Sequence, residues 1–288
     1  MRPYPDNRFI VDAEKCIRCG ECVNDCPVNI LVIGDEPPAV AAGRERDCIG
    51  CQHCLAVCPT GAVSVLGLQA SDSLELEGNP VDYRQMERLV KGRRSVRRYL
   101  DENIDPALIT EILEIAGHAP SGRNERQVQF SVVDDREVMN QIRHRTMDLL
   151  AASINSDSLP PGYQFFKTIV NGWQAYQADT IFRWAPHLLV ASAARESASP
   201  EQDAIIALSY FEIVCQSVGI GTLWNGMVKM TMTLVPELRE MLAVPRDHQF
   251  GFAMSFGKPA VHYMRTVQHH NGLIQRVKPL KNQTDPLP

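Results

Sequence analysis

Eight of the nine cysteines in this 288-residue chain fall into two runs of identical spacing, Cys16-x-x-Cys19-x-x-Cys22-x-x-x-Cys26-Pro27 and Cys48-x-x-Cys51-x-x-Cys54-x-x-x-Cys58-Pro59. This is the spacing that holds a pair of [4Fe-4S] clusters: three thiolates in one tight loop grip three irons of a cubane, and the fourth, held away by the following proline, reaches the neighbouring cluster. Cys16, Cys19, Cys22 and Cys58 are therefore assigned to one cluster, and Cys48, Cys51, Cys54 and Cys26 to the other. Zinc sites normally take their four ligands as two separated pairs, which leaves the triple-plus-one spacing unexplained. A disulfide framework belongs to short secreted chains. The opening MRPYPDNRFIVDAEKC has no apolar signal segment, so a reducing, cytoplasmic setting is expected. His53 lies inside the second run and reads as a loop residue, because four cysteines already complete the ligand set.

The two runs repeat at an offset of thirty-two residues, and short apolar segments flank them at Arg8 to Val11, Ile30 to Ile33 and Ala62 to Leu66. This reads as a two-fold repeated ferredoxin unit over residues 1–66. So small a unit buries little surface, and cluster ligation is expected to supply much of its folding free energy. Residues 67–81 are polar, end in a Gly-Asn-Pro turn signal and read as a linker. Residues 82–288 are long enough for a second domain with its own core.

A net charge of -5 gives no chain-wide positive field, so nucleic acid is not an expected partner. No run of eighteen apolar residues exists to span a membrane.

In the second domain, Asp105-Pro106 marks a helix start and Leu108, Ile109, Ile112, Leu113 and Ala116 recur at helical spacing to a stop near Gly117. Val128 to Val133 and His187 to Ala191 are predicted strands, as is Phe250 to Phe256; Arg136 to Ile154 and Tyr163 to Trp184 are predicted helices. Ser199-Pro200-Glu201-Gln202 suggests a capping box opening a helix whose stripe of Ile205, Leu208, Phe211, Cys215 and Val218 buries the ninth cysteine.

Electrons held in the first unit need somewhere to go. Lys91, Arg93, Arg94, Arg97 and Arg98 crowd around Ser95, and the choice is between a solvated basic face and an anion site of the kind guanidinium forks and a hydroxyl offer one phosphate. Gly219-Ile220-Gly221 imitates a dinucleotide fingerprint, but the third glycine position is Trp224 and the run ends a helix rather than following a strand. Gly219 is better read as a left-handed helix stop.

Four segments, Arg93-Arg94-Ser95-Val96-Arg97, Ala119-Pro120-Ser121-Gly122-Arg123-Asn124, Gly219 to Gly226, and Gly257-Lys258-Pro259 with Arg265 beyond, resemble the nitroreductase superfamily of FMN enzymes, in the branch with an N-terminal ferredoxin domain carrying two [4Fe-4S] clusters. The resemblance implies an α+β fold: a small ferredoxin-like domain followed by a nitroreductase-like domain with a central mixed sheet and helices, dimerised with FMN at the interface. It implies FMN contacts from Arg93, Arg94, Ser95 and Arg97, from Pro120 and Gly122, from Ser121 and Asn124 of the partner subunit, from Leu223, Trp224 and the backbone of Asn225 and Gly226 near flavin N5, and from Arg265 at the phosphate. After Asn124, Glu-Arg-Gln-Val departs from the usual pattern, which leaves the contacts of Arg126 and Gln127 open. No protein acid or base is assigned a catalytic role.

The expected function is that of an FMN-dependent oxidoreductase passing electrons between the clusters and FMN to a nitroaromatic, quinone or activated alkene. External ferredoxin or NAD(P)H is the candidate donor. The alternatives are an electron-transfer module of a larger redox complex and an NAD(P)H-driven flavin reductase. Phe165, Phe166, Trp173 and Tyr176 fit either a lid over the flavin or the core face of a long helix.

Overall fold

The computed structural model describes residues 8–155, 159–269 and 274–277. The first lobe is built from pieces of two to four residues: β1 (Ile10–Val11), α1 (Glu21–Asn24), β2 (Leu31–Val32), β3 (Ala39–Val40), α2 (His53–Ala56) and β4 (Val63–Ser64). The two outer apolar segments pair with each other, β1 with β4, and the middle one pairs as β2 with β3, both antiparallel. Its core is Cys22, Cys26, Ile30, Leu31, Leu55, Val63 and Val65, so cysteines supply part of the buried surface themselves. His53 is not in a loop but opens α2, and its Nδ1 pairs with Asp25 Oδ2 at 3.0 Å, tying the second run to the end of α1.

Between the lobes, residues 67–81 hold one 3-10 turn, Ala70–Asp72, and otherwise irregular, mostly exposed chain. The larger lobe then runs α3 (Tyr83–Gly92), α4 (Pro106–Ala116), β5 (Val128–Val133), α5 (Arg136–Asn155), α6 (Phe166–Tyr176), β6 (His187–Ala194), α7 (Pro200–Ser217), β7 (Gly221–Trp224), α8 (Gly226–Leu234), α9 (Glu237–Met241) and β8 (His248–Gly257). The sheet order is β5-β6-β8-β7, with antiparallel pairing throughout. A parallel bridge between Ser95 and Thr222 makes the sheet mixed at its β7 edge.

β6 is buried along its whole length because both faces of the sheet are covered. Successive side chains of a strand point to opposite faces. Leu188 and Val190 accordingly join the core under α5, α6, α8 and α9, while Leu189 and Ala191 join the one under α4 and α7. Cys215 lies fully buried in that second core, as the apolar stripe of α7 requires.

Two local expectations are corrected. Ser199 precedes α7, but its side chain makes no capping bond; its hydroxyl instead lies where a Cβ on Gly122 would touch it, at 2.9 Å. The helix predicted from Tyr163 to Trp184 stops at Tyr176, where Gln177 takes φ 53. The cause is Asp179. Its carboxylate accepts the N–H groups of Phe182 and Trp184, both at 2.8 Å, and the Nε of buried Arg143 at 2.7 Å. Arg143 also donates to Ala185 O and stacks over the Trp184 ring. A turn that meets so many donors outcompetes continued helix.

Candidate redox site

The two cysteine runs form two separate hollows. One is lined by Cys16, Cys19, Cys22 and Cys58 with Val11, Ile17 and Val63, the other by Cys26, Cys48, Cys51 and Cys54 with Phe9, Ile30 and Leu31. Each hollow thus takes three thiols from one run and one from the other. Gly20 and Gln52, both left-handed at φ 78 and φ 62, turn the chain into α1 and α2 and set the third thiol of each run on a short helix. Burial, with the thiols of Cys51, Cys48 and Cys22 adding, pushes Cys54 up to about 12. Burial raises Cys22 too, reinforced by Cys58, Cys19 and Cys16. Burial also acts on Cys58, but hydrogen bonds from Thr60, Ala62 and Val63 outweigh it and hold this thiol below its ordinary value. Thr60 Oγ1 stands 3.7 Å from Cys58 Sγ and the Ala62 N–H donates to it at 3.3 Å. Gly50 N–H donates to Cys48 Sγ at 3.4 Å.

In the larger lobe the Arg93–Arg97 stretch leaves the C-terminus of α3 and runs along β7, where Val96 N–H donates to Thr222 O at 2.8 Å. Gly221 allows this approach: a Cβ there would meet Val96 Cγ2 at 2.6 Å. The Gly-Ile-Gly run is therefore a packing device, and Gly219, at φ 76, is the helix stop. Arg93 Nη1 pairs with Glu212 Oε1 at 3.1 Å. Arg94 turns back onto the carbonyls of Arg93 and Lys91, closing the end of α3 as cations favour. Arg97 is exposed and donates to Ser95 O, while Ser95 is half-buried.

Asn225 is buried and its side chain is fully used. Its Nδ2 donates to Ile181 O and Ser255 Oγ at 2.9 and 2.8 Å, and its Oδ1 caps α8 by accepting Val228 N–H. Its backbone N–H donates to Ala253 O at 2.8 Å. Of the two backbone donors expected to face a flavin, the one at Asn225 is thus committed to the sheet. Gly226, the first residue of α8, has an N–H for which the helix itself offers no partner. Leu223 is buried and Trp224 half-buried beside it.

The Pro120–Asn124 segment lies at the other edge of the sheet, just before β5. Gly122 N–H donates to Asp203 Oδ1 at 3.0 Å, Ser121 Oγ accepts Arg126 N–H at 2.9 Å, and Asn124 Nδ2 donates to Ile49 O at 3.0 Å. Arg126 turns to Gly117 O and Gln127 to Glu125 O. Arg265 lies exposed beyond β8. Of the aromatic set, Phe166 and Trp173 are core residues, Phe165 is 40% exposed and Tyr176 is 85% exposed. Sequence reasoning missed Glu212, a buried carboxylate that also accepts Thr222 Oγ1 at 3.3 Å and Trp224 Nε1 at 3.0 Å. The signal was there: an acidic residue beside Phe211 on the apolar stripe of α7.

The model of the nitroreductase family matches residues 90–258, more than half of the sequence. The chain belongs to the nitroreductase family. The 4Fe-4S dicluster domain model matches residues 15–62 of the same nitroreductase chain. Among solved structures, a Bacteroides fragilis nitroreductase with bound FMN superimposes with a TM-score of 0.55 at 21% identity, covering 69% of this chain and 100% of that one. Among sequences, the ferredoxin of Methanothermococcus thermolithotrophicus is 42% identical over 57 residues, 19% of this chain and 92% of the ferredoxin. An archaeal-type glutamate synthase [NADPH] of Dehalococcoides mccartyi is 29% identical over 87 residues, 30% of this chain but only 15% of the synthase. The fold is thus that of a nitroreductase joined to a dicluster ferredoxin lobe, and the protein is an oxidoreductase.

Proposed function

We propose that this nitroreductase passes electrons between two [4Fe-4S] clusters and FMN to reduce a small organic acceptor such as a nitroaromatic, quinone or activated alkene. The observation that carries the reading is the pair of hollows, each ringed by three thiols of one run and one of the other, within the same chain as a nitroreductase domain. Four soft thiolates around an apolar hollow fit a cubane cluster. Arg93, Ser95 and Arg97, with the N-terminus of α8 at Gly226, fit a phosphorylated flavin: two guanidinium forks and a hydroxyl for phosphate or pyrimidine oxygens, and helix N–H groups for an acceptor atom. When bound, FMN supplies the exchange between single-electron transfer and two-electron reduction of the acceptor.

The residues of this chain bind and orient. Glu212 fixes Arg93 and the Trp224 indole relative to one another. The exposed cation of Arg97 favours negative charge developing on a bound ring. Ser121 and Asn124, at the β5 edge, lie across the sheet from Arg93 and Ser95 at the β7 edge. A homodimer in which the partner subunit brings its Pro120–Asn124 segment to the FMN accounts for both sets. Exposed apolar side chains on α3 and α7, Met86, Val90, Ile206 and Tyr210, suit burial against a second copy.

The test is anaerobic purification, cofactor release and a panel of acceptors. Iron, sulfide and FMN together, with flavin reoxidised by organic acceptors after reduction by ferredoxin, support the reading. Flavin that NADH bleaches faster than reduced ferredoxin makes the protein an NAD(P)H-driven flavin reductase instead. Flavin that no acceptor reoxidises makes it an electron-transfer module.

A further inference from the structure

The two cysteine loops repeat one another, yet they differ in cover. In the first, Ile17 is 64% exposed and Arg18 and Cys19 are exposed with it. Their counterparts thirty-two residues on, Ile49, Gly50 and Cys51, are half-buried, buried and half-buried. Arg18 and Gly50 differ in size, but the isoleucine and cysteine on either side are the same residues in two environments, and both are better covered in the second copy. A polar contact reaching it from the larger lobe is the Asn124 amide, which donates to Ile49 O at 3.0 Å. Asn124 stands at φ 54, between Arg123 at φ 54 and Arg126 at φ 51. Asparagine tolerates this left-handed conformation better than most residues. Asn124 N–H closes the turn onto Ser121 O, which leaves its side-chain amide to reach the cysteine loop.

We propose that the cluster held by Cys48, Cys51, Cys54 and Cys26 is the one that exchanges electrons with the FMN at the proposed dimer interface, to which the Pro120–Asn124 segment is brought, and that Asn124 is the positioning residue that seats the cluster's loop against the flavin domain. The cluster held by Cys16, Cys19, Cys22 and Cys58 then lies on the donor side. This order rests on the functional reading above. A reduced iron-sulfur protein gives one electron to the donor-side cluster, which passes it to the second. Two such passes, oxidising two donor molecules and taking two protons from water, convert FMN to its fully reduced form.

Two measurements on the holoprotein test the order. In hydrogen exchange of the oxidised protein, residues 48–52 are protected more than residues 16–20. Asn124→Asp keeps the shape and loses the donor, and Asn124→Gly loses it while easing the backbone; each is expected to speed exchange over 48–52 by about tenfold and leave 16–20 unchanged. In stopped flow with a reduced two-[4Fe-4S] ferredoxin as donor, both variants bleach their clusters at the wild-type rate but bleach flavin about tenfold more slowly. Variants in which exchange over 48–52 is unchanged, or in which both loops loosen alike, overturn the proposal. So does equal slowing of cluster and flavin bleaching. Wild-type protein whose flavin takes no electrons from its clusters, with the exchange difference intact, overturns the functional reading itself, a result distinct from normal wild-type transfer that Asn124 does not influence.

Discussion

Arg93 and Glu212, separated by 119 residues in sequence, meet at 3.1 Å on the β7 edge of the sheet. The Glu212 side chain is 8% exposed and the Arg93 side chain 34%, so the pair has one foot in the core and one at the surface where an anion can approach. The carboxylate is held by Trp224 and Thr222 as well. It is therefore a fixed point against which the guanidinium is aimed.

Replacing Arg93 by alanine removes a charge-assisted donor, a loss of about 1.5–3 kcal/mol, which raises the FMN dissociation constant roughly 10- to 150-fold. Glu212→Gln loses the charge that aligns Arg93 and turns one of the two acceptor oxygens, shared among Arg93, Thr222 and Trp224, into a donor, and it raises the constant by about tenfold. Arg98→Ala, outside the proposed site, leaves it unchanged. Flavin fluorescence quenching on titration of the deflavinated protein reads all three.

The Arg143–Asp179 pair is a different case, because both side chains are essentially out of solvent. Asp179→Ala strands a buried guanidinium and two backbone N–H groups, and is expected to cost about 3–5 kcal/mol. Asp179→Asn, which still accepts hydrogen bonds, costs less. Urea denaturation followed by tryptophan fluorescence checks the order, with Trp184 beside the network as reporter.

His187 is buried, and its Nε2 accepts Ile104 N–H at 3.0 Å. Burial lowers its pKa from 6.5 to about 4, against the opposing pull of Asp134 and Asp135. The unfolded chain thus binds a proton that the folded one refuses between those two values. The stability this neutral imidazole contributes is complete above pH 6.5 and is lost as pH falls toward 4. From pH 7 to pH 5 the wild type should lose about 2 kcal/mol more than His187→Gln. Denaturant midpoints of the two proteins, compared at both pH values, measure the difference.

Thr60 lies within hydrogen-bonding reach of Cys58 Sγ. Hydrogen bonds to ligating sulfur stabilise the more negative, reduced cluster. Thr60→Val should lower the midpoint of the cluster that takes Cys58 by roughly 20–60 mV, the equivalent of one modest hydrogen bond in a one-electron couple. An EPR-monitored redox titration checks this, with the other cluster as internal reference.

Much of this architecture was legible because some physical constraints are local. The cysteine spacing, the Asp105-Pro106 helix start, the strands at Val128 and His187, the left-handed Gly219 and the burial of Cys215 each follow from a few adjacent residues, and each appears as expected. What was not legible depends on distant partners. The stop of α6 at Tyr176 is imposed by Asp179 meeting Arg143, and the idle Ser199 side chain reflects the approach of Gly122. Asn225 offered its backbone to a ligand in sequence terms, but Ala253 O claims its N–H while Ile181 and Ser255 take its side chain, and only the fold brings those three together. The helices α3, α8 and α9 and the strand β7 were passed over. For α3 the cue was Asp82, whose carboxylate accepts Gln85 N–H at 2.7 Å, a start signal in plain view.

The proposed function requires iron-sulfur clusters and a flavin that exchange electrons within one chain. The most direct measurement is the visible spectrum of protein purified without oxygen, taken before and during reduction by stoichiometric reduced ferredoxin, with iron, sulfide and flavin quantified on the same sample. Flavin bands above a broad sulfur-to-iron absorption, iron and sulfide sufficient for two cubanes per FMN, and bleaching of the broad absorption followed by the flavin bands are expected. Colourless protein, zinc in place of iron, or clusters that bleach while bound flavin stays oxidised would contradict it.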